Sequence, residues 1–140
     1  MTVGAEDLGE GSARPAPPRT SGELALAISN RIVGLHKHFY GKGPTKARAF
    51  YLDDVVVVVM RGGFSKVEET LHRAGRRGAV IAQRAEFQAV VEDEFRAAVE
   101  ELTGRRVVAF MSANHQDPDM AAELFVLESA SEPKLPADRG

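Results

Sequence analysis

The segment Gly41-Lys42-Gly43-Pro44-Thr45 is the first place in this sequence to test for phosphate chemistry. A Walker-type phosphate loop needs four residues between its glycines and a Lys-Ser/Thr pair that opens a helix after a strand. Here a predicted helix precedes the segment and a predicted strand follows it, so no helix N-terminus points at an anion. We interpret the segment as a helix stop and turn. The alternative is a small-anion site, for phosphate or bicarbonate, formed by Lys42, Lys46 and Arg48.

Histidines and aspartates occur at two places where metal coordination can be tested. His36 and His38 are two residues apart on a predicted helix, about 200° around its axis, so they cannot bind one ion. His115, Asp117 and Asp119 lie in a predicted turn. Three side chains are a thin set for Ca²⁺, and aspartate is a common turn former. We therefore predict neither a metal site nor a cofactor.

The sequence contains no recognisable set of residues for nucleophilic or acid–base catalysis. The chain contains no cysteine, which excludes thiolate nucleophiles and cysteine-based zinc sites. No serine lies in a Gly-x-Ser-x-Gly elbow. The adjacent acids at 53–54, 92–94 and 100–101 are assigned to turns or solvated helix faces. We predict that the protein is not an enzyme.

A local basic patch surrounds a predicted helix break and consists of Arg73, Arg76, Arg77 and Arg84. Nucleic-acid binding would require a broad basic face, but the net charge is −2. Aromatic residues, which stack on single strands, make up only 6% of the chain. We interpret the patch as a helix surface that forms salt bridges with the acids of residues 92–101. A nucleic-acid-binding regulator is the third functional hypothesis, and no nucleic-acid partner is predicted.

Length and composition predict one domain, since the chain has 140 residues and 44% of them are apolar. The longest apolar run, Val55–Met60, is far shorter than the roughly 20 residues that cross a bilayer. Residues 1–20 are rich in glycine and proline and lack the apolar region of a secretory signal. We expect a disordered leader at 1–20, a folded domain at 21–128 and a flexible tail at 129–140. A cytoplasmic protein outside the membrane is the expected class.

Helix and strand signals alternate along the predicted domain. Thr20 and Glu23 form a capping box before a helix over 21–40, which Gly41 and Pro44 end. Ser65 begins a short helix with a second capping box. Strands at Lys46–Leu52 and Val55–Met60 form a first hairpin. A long helix at about 79–103 follows the short one, and its buried stripe is Phe87, Val91, Phe95, Ala98 and Leu102. Strands at Arg106–Ala113 and Met120–Leu127, joined by a polar loop, form a second hairpin. The predicted fold is α+β, a four-stranded, mainly antiparallel sheet with helices packed on it in the order α-β-β-α-α-β-β.

The strand Val55–Val59 consists of valine alone, so both of its faces are apolar and both need to be covered. In the simplest layout the helices cover one face. We therefore predict a homodimer whose interface contains Val56, Val57, Val58 and Val59. The alternative is a sheet with helical layers on both faces within one chain.

A set of landmarks recurs in order along residues 22–128. They are Ser29-Asn30-Arg31-Ile32-Val33, Gly41–Arg48, Asp54, Gly63–Glu68, Phe87-Gln88, Leu102–Val107, and Pro118-Asp119 ahead of Phe125-Val126-Leu127. In this combination the chain resembles the MpsC-type (YbcI-like) family. The resemblance implies a setting: a cation-linked membrane-potential-generating system with membrane and large soluble partners, tied to inorganic-carbon supply. It assigns no chemistry to particular residues.

These observations predict a non-enzymatic accessory or interaction protein that forms a homo-oligomer, with a membrane-complex protein as a possible partner. A sensor domain for a small anion or ligand is the alternative.

Overall fold

A computed structural model describes residues 20–63 and 65–129 of the chain. The elements are α1 (Ser21–Tyr40), β1 (Lys46–Leu52), β2 (Val55–Arg61), α2 (Lys66–Arg73), α3 (Arg77–Thr103), β3 (Val107–Gln116) and β4 (Asp119–Leu127). This order and the α+β class confirm the prediction. The predicted leader and tail lie outside the described residues, except for Thr20 and Ser129.

Helix α1 begins and ends at the predicted signals. The Thr20 hydroxyl accepts a hydrogen bond from the Glu23 N–H at 3.0 Å, and the Glu23 carboxylate accepts one from the Thr20 N–H at 2.9 Å. Gly41 ends the helix with φ 87° and donates its N–H to the Lys37 carbonyl. Only glycine adopts this left-handed conformation without a Cβ penalty, which is why the helix stops there.

The sheet is antiparallel throughout, with the strand order β1-β2-β4-β3. The first hairpin turns at Asp53-Asp54, where Asp53 has φ 52°. The second hairpin lies beside the first with β4 against β2, so the valine strand is central and β1 and β3 are the edges.

All three helices lie on the same face of this sheet. Val56 and Val58 of β2 are fully buried beneath them, and Phe125 of β4 lies next to Val56 across the strands. The stripe predicted on α3 faces the sheet: Phe95 is fully buried, Val91 and Ala98 are nearly so, and Phe87 and Leu102 are partly buried against the core. The core that joins the two layers contains Ile28, Ile32, Met60, Val99, Val107 and Leu127. A second helical layer on the opposite face does not occur among residues 20–63 and 65–129.

The second hairpin is tighter than predicted. The polar run from Asn114 to Asp119 was expected to be a loop, but β3 continues to Gln116 and pairs there with Asp119. The turn is reduced to Asp117-Pro118. The polar residues Asn114 and Gln116 form strand because their side chains reach partners under the helices.

Truncation of Phe95 tests the packing of α3 on the sheet. Phe95→Ala should lower the free energy of unfolding by about 3–5 kcal/mol, because it leaves a cavity at a fully buried position. Phe39→Ala is the control, since Phe39 is 44% exposed, and it should cost about 1 kcal/mol or less. Urea denaturation of both variants measures the difference. Equal costs for the two variants would show that α3 is packed differently.

Candidate functional site

The sheet face that points away from the helices, called the open face below, carries mostly apolar side chains. Strand alternation and the pairing register define it. Its side chains are Lys46, Arg48, Phe50 and Leu52 on β1; Val55, Val57, Val59 and Arg61 on β2; Met120, Ala122, Leu124 and Val126 on β4; and Ala109, Met111, Ala113 and His115 on β3. Leu52 is 72% exposed, and Phe50 and Met111 are about half exposed.

The charges of the open face are all at one end. Lys46 and Arg61 are opposite each other across β1 and β2, and Arg48 lies beside them with its guanidinium carbon 5.0 Å from the centre of the Phe50 ring. Together with Thr45, Ala47 and Val59 they line an open groove of about 670 Å³. Within residues 20–63 and 65–129, none of the three cations has a carboxylate within ion-pair distance.

The predicted anion set is divided by the structure. Lys46 and Arg48 lie together on the open face, where Arg61 joins them. Lys42 extends instead toward Glu69 of α2, with 4.0 Å between the ammonium and the carboxylate. Sequence reasoning missed Arg61 because the sequence does not state the register that places it opposite Lys46.

The predicted interface valines divide between the two faces. Val56 and Val58 are fully buried under the helices, whereas Val57 and Val59 are partly exposed on the open face next to Val55. Among the valines of this strand, only Val55, Val57 and Val59 can therefore contact another molecule through the open face.

A buried polar cluster lies between the helices and the sheet and centres on Arg84. Its guanidinium binds both carboxylate oxygens of Glu68, which is fully buried, at 3.0 and 3.1 Å. It also donates to the Asn114 side chain at 2.9 Å and contacts Asp119 at 3.4 Å. The Glu68 carboxylate additionally accepts the Ser65 N–H, which completes the capping box of α2.

This cluster corrects the interpretation of the arginine patch. Arg84 was expected on a surface paired with the acids of 92–101, but it is 7% exposed and binds Glu68. The sequence does hold a signal for this, since Arg84 falls on the stripe that continues through Phe87 and Val91. Glu123 likewise stands among apolar neighbours, Ala121-Ala122 and Leu124-Phe125, in β4, and it is only 3% exposed.

Glu123 and His36 are the titratable groups that burial perturbs beside this cluster. Burial raises the pKa of Glu123 to about 7, although hydrogen bonds from Ser112 and Gln88 partly oppose the shift. Burial also lowers the pKa of His36, against the effect of its hydrogen bond to the Lys42 carbonyl. Both side chains border a cavity of about 20 Å³, next to the buried Tyr40 hydroxyl, which has no hydrogen-bond partner among the described residues. Such a space holds about one water molecule.

Metal coordination finds no support in the described part of the chain. No group of three or more histidine, aspartate or glutamate side chains is placed to hold an ion there. His36 packs on Tyr40 and Phe87, whereas His38 is exposed and contacts the Phe39 ring, so the two histidines point apart as predicted. Asp119 is bound to Arg84.

The family profile described as Na⁺-translocating membrane potential-generating system (MpsC) matches residues 20–129, which include every helix and strand given above. The chain belongs to the MpsC family. The predicted resemblance is thus confirmed, and the family's description associates it with a Na⁺-linked membrane-potential system. Comparisons with curated proteins and with solved structures find no match.

None of the helices described for this MpsC-family chain is long and apolar enough to cross a bilayer.

Glu123 gives a test of the buried cluster by pH. Its folded-state pKa lies above its ordinary value of 4.5, so the folded state binds this proton more tightly. The contribution of Glu123 to the free energy of unfolding is therefore fully present below pH 4.5 and is lost as pH rises toward 7, by about 3 kcal/mol at most.

Glu123→Gln removes this titration. From pH 5 to pH 8 the parent should lose the contribution of Glu123, whereas the variant has no such contribution to lose. The difference in the free energy of unfolding, variant minus parent, should therefore increase between these two pH values, as measured by urea denaturation. Glu86→Gln, at an exposed position on α3, is the control and should show no such increase. If Glu123→Gln and its parent respond equally to pH, Glu123 is ionised in the folded protein at both values.

Proposed function

We propose that this protein is a non-enzymatic accessory protein of a Na⁺-linked membrane-potential system, and that it acts as a homodimer formed through the open face of its sheet. The family description supplies the setting. The apolar open face supports association as a homodimer. A cytoplasmic location and a membrane-complex protein as a further partner complete the proposal.

The observation that carries the homodimer is the uncovered apolar surface. All open-face side chains except Lys46, Arg48, Arg61 and His115 are apolar. Four strands at about 4.8 Å spacing and seven residues at about 3.4 Å rise give a face of roughly 19 by 24 Å. Soluble monomers rarely leave a contiguous apolar patch of this size in water.

A second copy of the chain is an occupant that fits this surface. Two sheets pack face to face at about 10 Å with interdigitated side chains, which buries both apolar faces at once. Two-fold symmetry is the commonest way in which soluble chains associate, because one self-complementary surface is then sufficient.

The arrangement of titratable groups supports a role without catalysis. Glu123 and His36 have perturbed pKa values, as catalytic groups often do, but they border a space for about one water molecule. The larger groove, at the basic end of the open face, is lined by cations, Thr45 and apolar side chains without a carboxylate or histidine. Glu123 and His36, whose pKa values are perturbed, therefore lie apart from the groove of about 670 Å³.

A small-anion sensor is the second candidate, and the groove with Lys46, Arg48 and Arg61 favours it. If it is correct, phosphate or bicarbonate should raise the melting temperature at constant ionic strength, since a ligand of the folded state stabilises by mass action. Changing all three cations to Gln should abolish the shift. Lys42→Gln is the control and should preserve it, because Lys42 lies beside Glu69. The absence of any anion-dependent shift in the parent protein rejects the sensor.

The homodimer is tested by sedimentation at micromolar concentration. The parent chain should sediment at about twice its mass of 15.1 kDa. Val57→Lys places a charge in the centre of the open face and should give a monomer. Val90→Lys, at a position on α3 that is 77% exposed, should leave the dimer intact.

Circular dichroism of Val57→Lys confirms that the variant is folded. A parent mass of 15.1 kDa rejects the dimer. A dimer that survives in folded Val57→Lys shows that the open face is not the interface.

A further inference from the structure

We propose that the two copies stack with their strands running in opposite directions, about a two-fold axis that runs across the strands. In this arrangement β1 of one copy lies over β1 of the other, and β3 lies over β3. The basic end of each open face then covers the opposite end of its partner. The proposal rests on the homodimer proposed above and specifies how its two copies are oriented.

The two ends of the open face differ in charge. Lys46, Arg48 and Arg61 give one end three positive charges, with His115 at the same end of β3. No acid occurs among the open-face residues of the four strands. The turn between β3 and β4 adds the exposed Asp117 at this end, which leaves it a formal net charge of +2 with His115 neutral.

The opposite end carries the Asp53-Asp54 turn and Glu128, which follows β4 and by strand alternation lies on the open side. Asp53 and Glu128 are exposed, and neither side chain has an ion pair within the described part of the chain. Asp54 is bound to Arg105 at 2.7 Å. Arg106, whose carbonyl accepts the Glu128 N–H, adds one positive charge. With Asp54 paired to Arg105, this end has a formal net charge of −1.

Two face-to-face stackings combine two-fold symmetry with aligned strands, and charge distinguishes them. An axis along the strands places the two basic ends over each other, so that the three cations of one copy, offset only by Asp117, meet the same set of charges on the other. An axis across the strands places each basic end over the Asp53 turn and Glu128 of its partner. Like charges that meet across an interface are strongly unfavourable, whereas complementary potentials fix its orientation. The second stacking is therefore selected.

The register makes this orientation measurable. Phe50, Val57, Leu124 and Met111 lie side by side across the four strands and form the middle row of the open face. With the axis along this row, Phe50 lies over the partner's Phe50, and Met111 lies over the partner's Met111. With the axis along the strands, Phe50 instead lies over the partner's Met111. The edge strands β1 and β3 are three strand spacings apart, about 14 Å, so the two cases differ by more than the length of a short crosslinker.

The experiment uses the absence of cysteine from the chain, which leaves no background reaction. Phe50→Cys and Met111→Cys are treated with a short bis-maleimide, each alone and as an equilibrated mixture. Each variant alone should give a covalent dimer. Only homotypic products should form in the mixture, which mass spectrometry of crosslinked peptides identifies. Val90→Cys, exposed on α3, should give no dimer in either case.

The outcomes separate this inference from the homodimer itself. Sedimentation of the parent chain as a monomer overturns both. A parent dimer that gives Phe50-to-Met111 products, or no crosslink at all, overturns the orientation and leaves the homodimer in place.

If the loss of the Phe50 side chain dissociates the dimer, a mixture of Arg48→Cys and Leu52→Cys serves as the second measurement. These positions lie one row to either side of the axis, so they should crosslink to each other and not to themselves. A mixture that remains dimeric but gives no Arg48-to-Leu52 product overturns the orientation, because an axis along the strands places both positions over the partner's β3.

Discussion

A central strand that is apolar on both faces is the constraint on which the rest of this structure depends. β2 carries five consecutive valines, and its position between β1 and β4 leaves only its two faces to be covered. The helices bury Val56 and Val58 on one face. Val57 and Val59 on the other face have no helix above them among the described residues. The homodimer and its orientation are both consequences proposed for this asymmetry.

The buried polar cluster performs a different task, because it joins elements that the apolar core does not. Arg84 of α3 links the short helix α2, through Glu68, to the second hairpin, through Asn114 and Asp119. Removing one partner of such a pair leaves an uncompensated buried charge and is usually costly. The cluster thus fixes α2, which has few turns of its own, against α3 and the sheet.

Local signals predicted most of the elements correctly. The capping boxes at Thr20 and Ser65, the glycine at 41 and the stripe through Phe95 each act within a few residues, so the sequence alone contains them. The prediction of a loop over Asn114–Asp119 was wrong because it considered only local signals. Polar residues favour turns when nothing else binds them, and Asn114 and Gln116 have partners that are remote in sequence. Of the predicted anion set, Lys46 and Arg48 lie together, Lys42 lies beside Glu69, and the strand pairing adds Arg61 opposite Lys46.

The sequence by itself determined the family, the order of helices and strands, and the period-two division of the valine strand into two sets of side chains. Those properties follow from local hydrogen bonding and from the geometry of one strand. Only the tertiary structure decided which valines are buried, that Arg84 belongs to the interior, and that Arg61 lies opposite Lys46. Each of these depends on pairing between segments far apart in the chain, and the register of that pairing is set by the packing of the whole sheet against its helices.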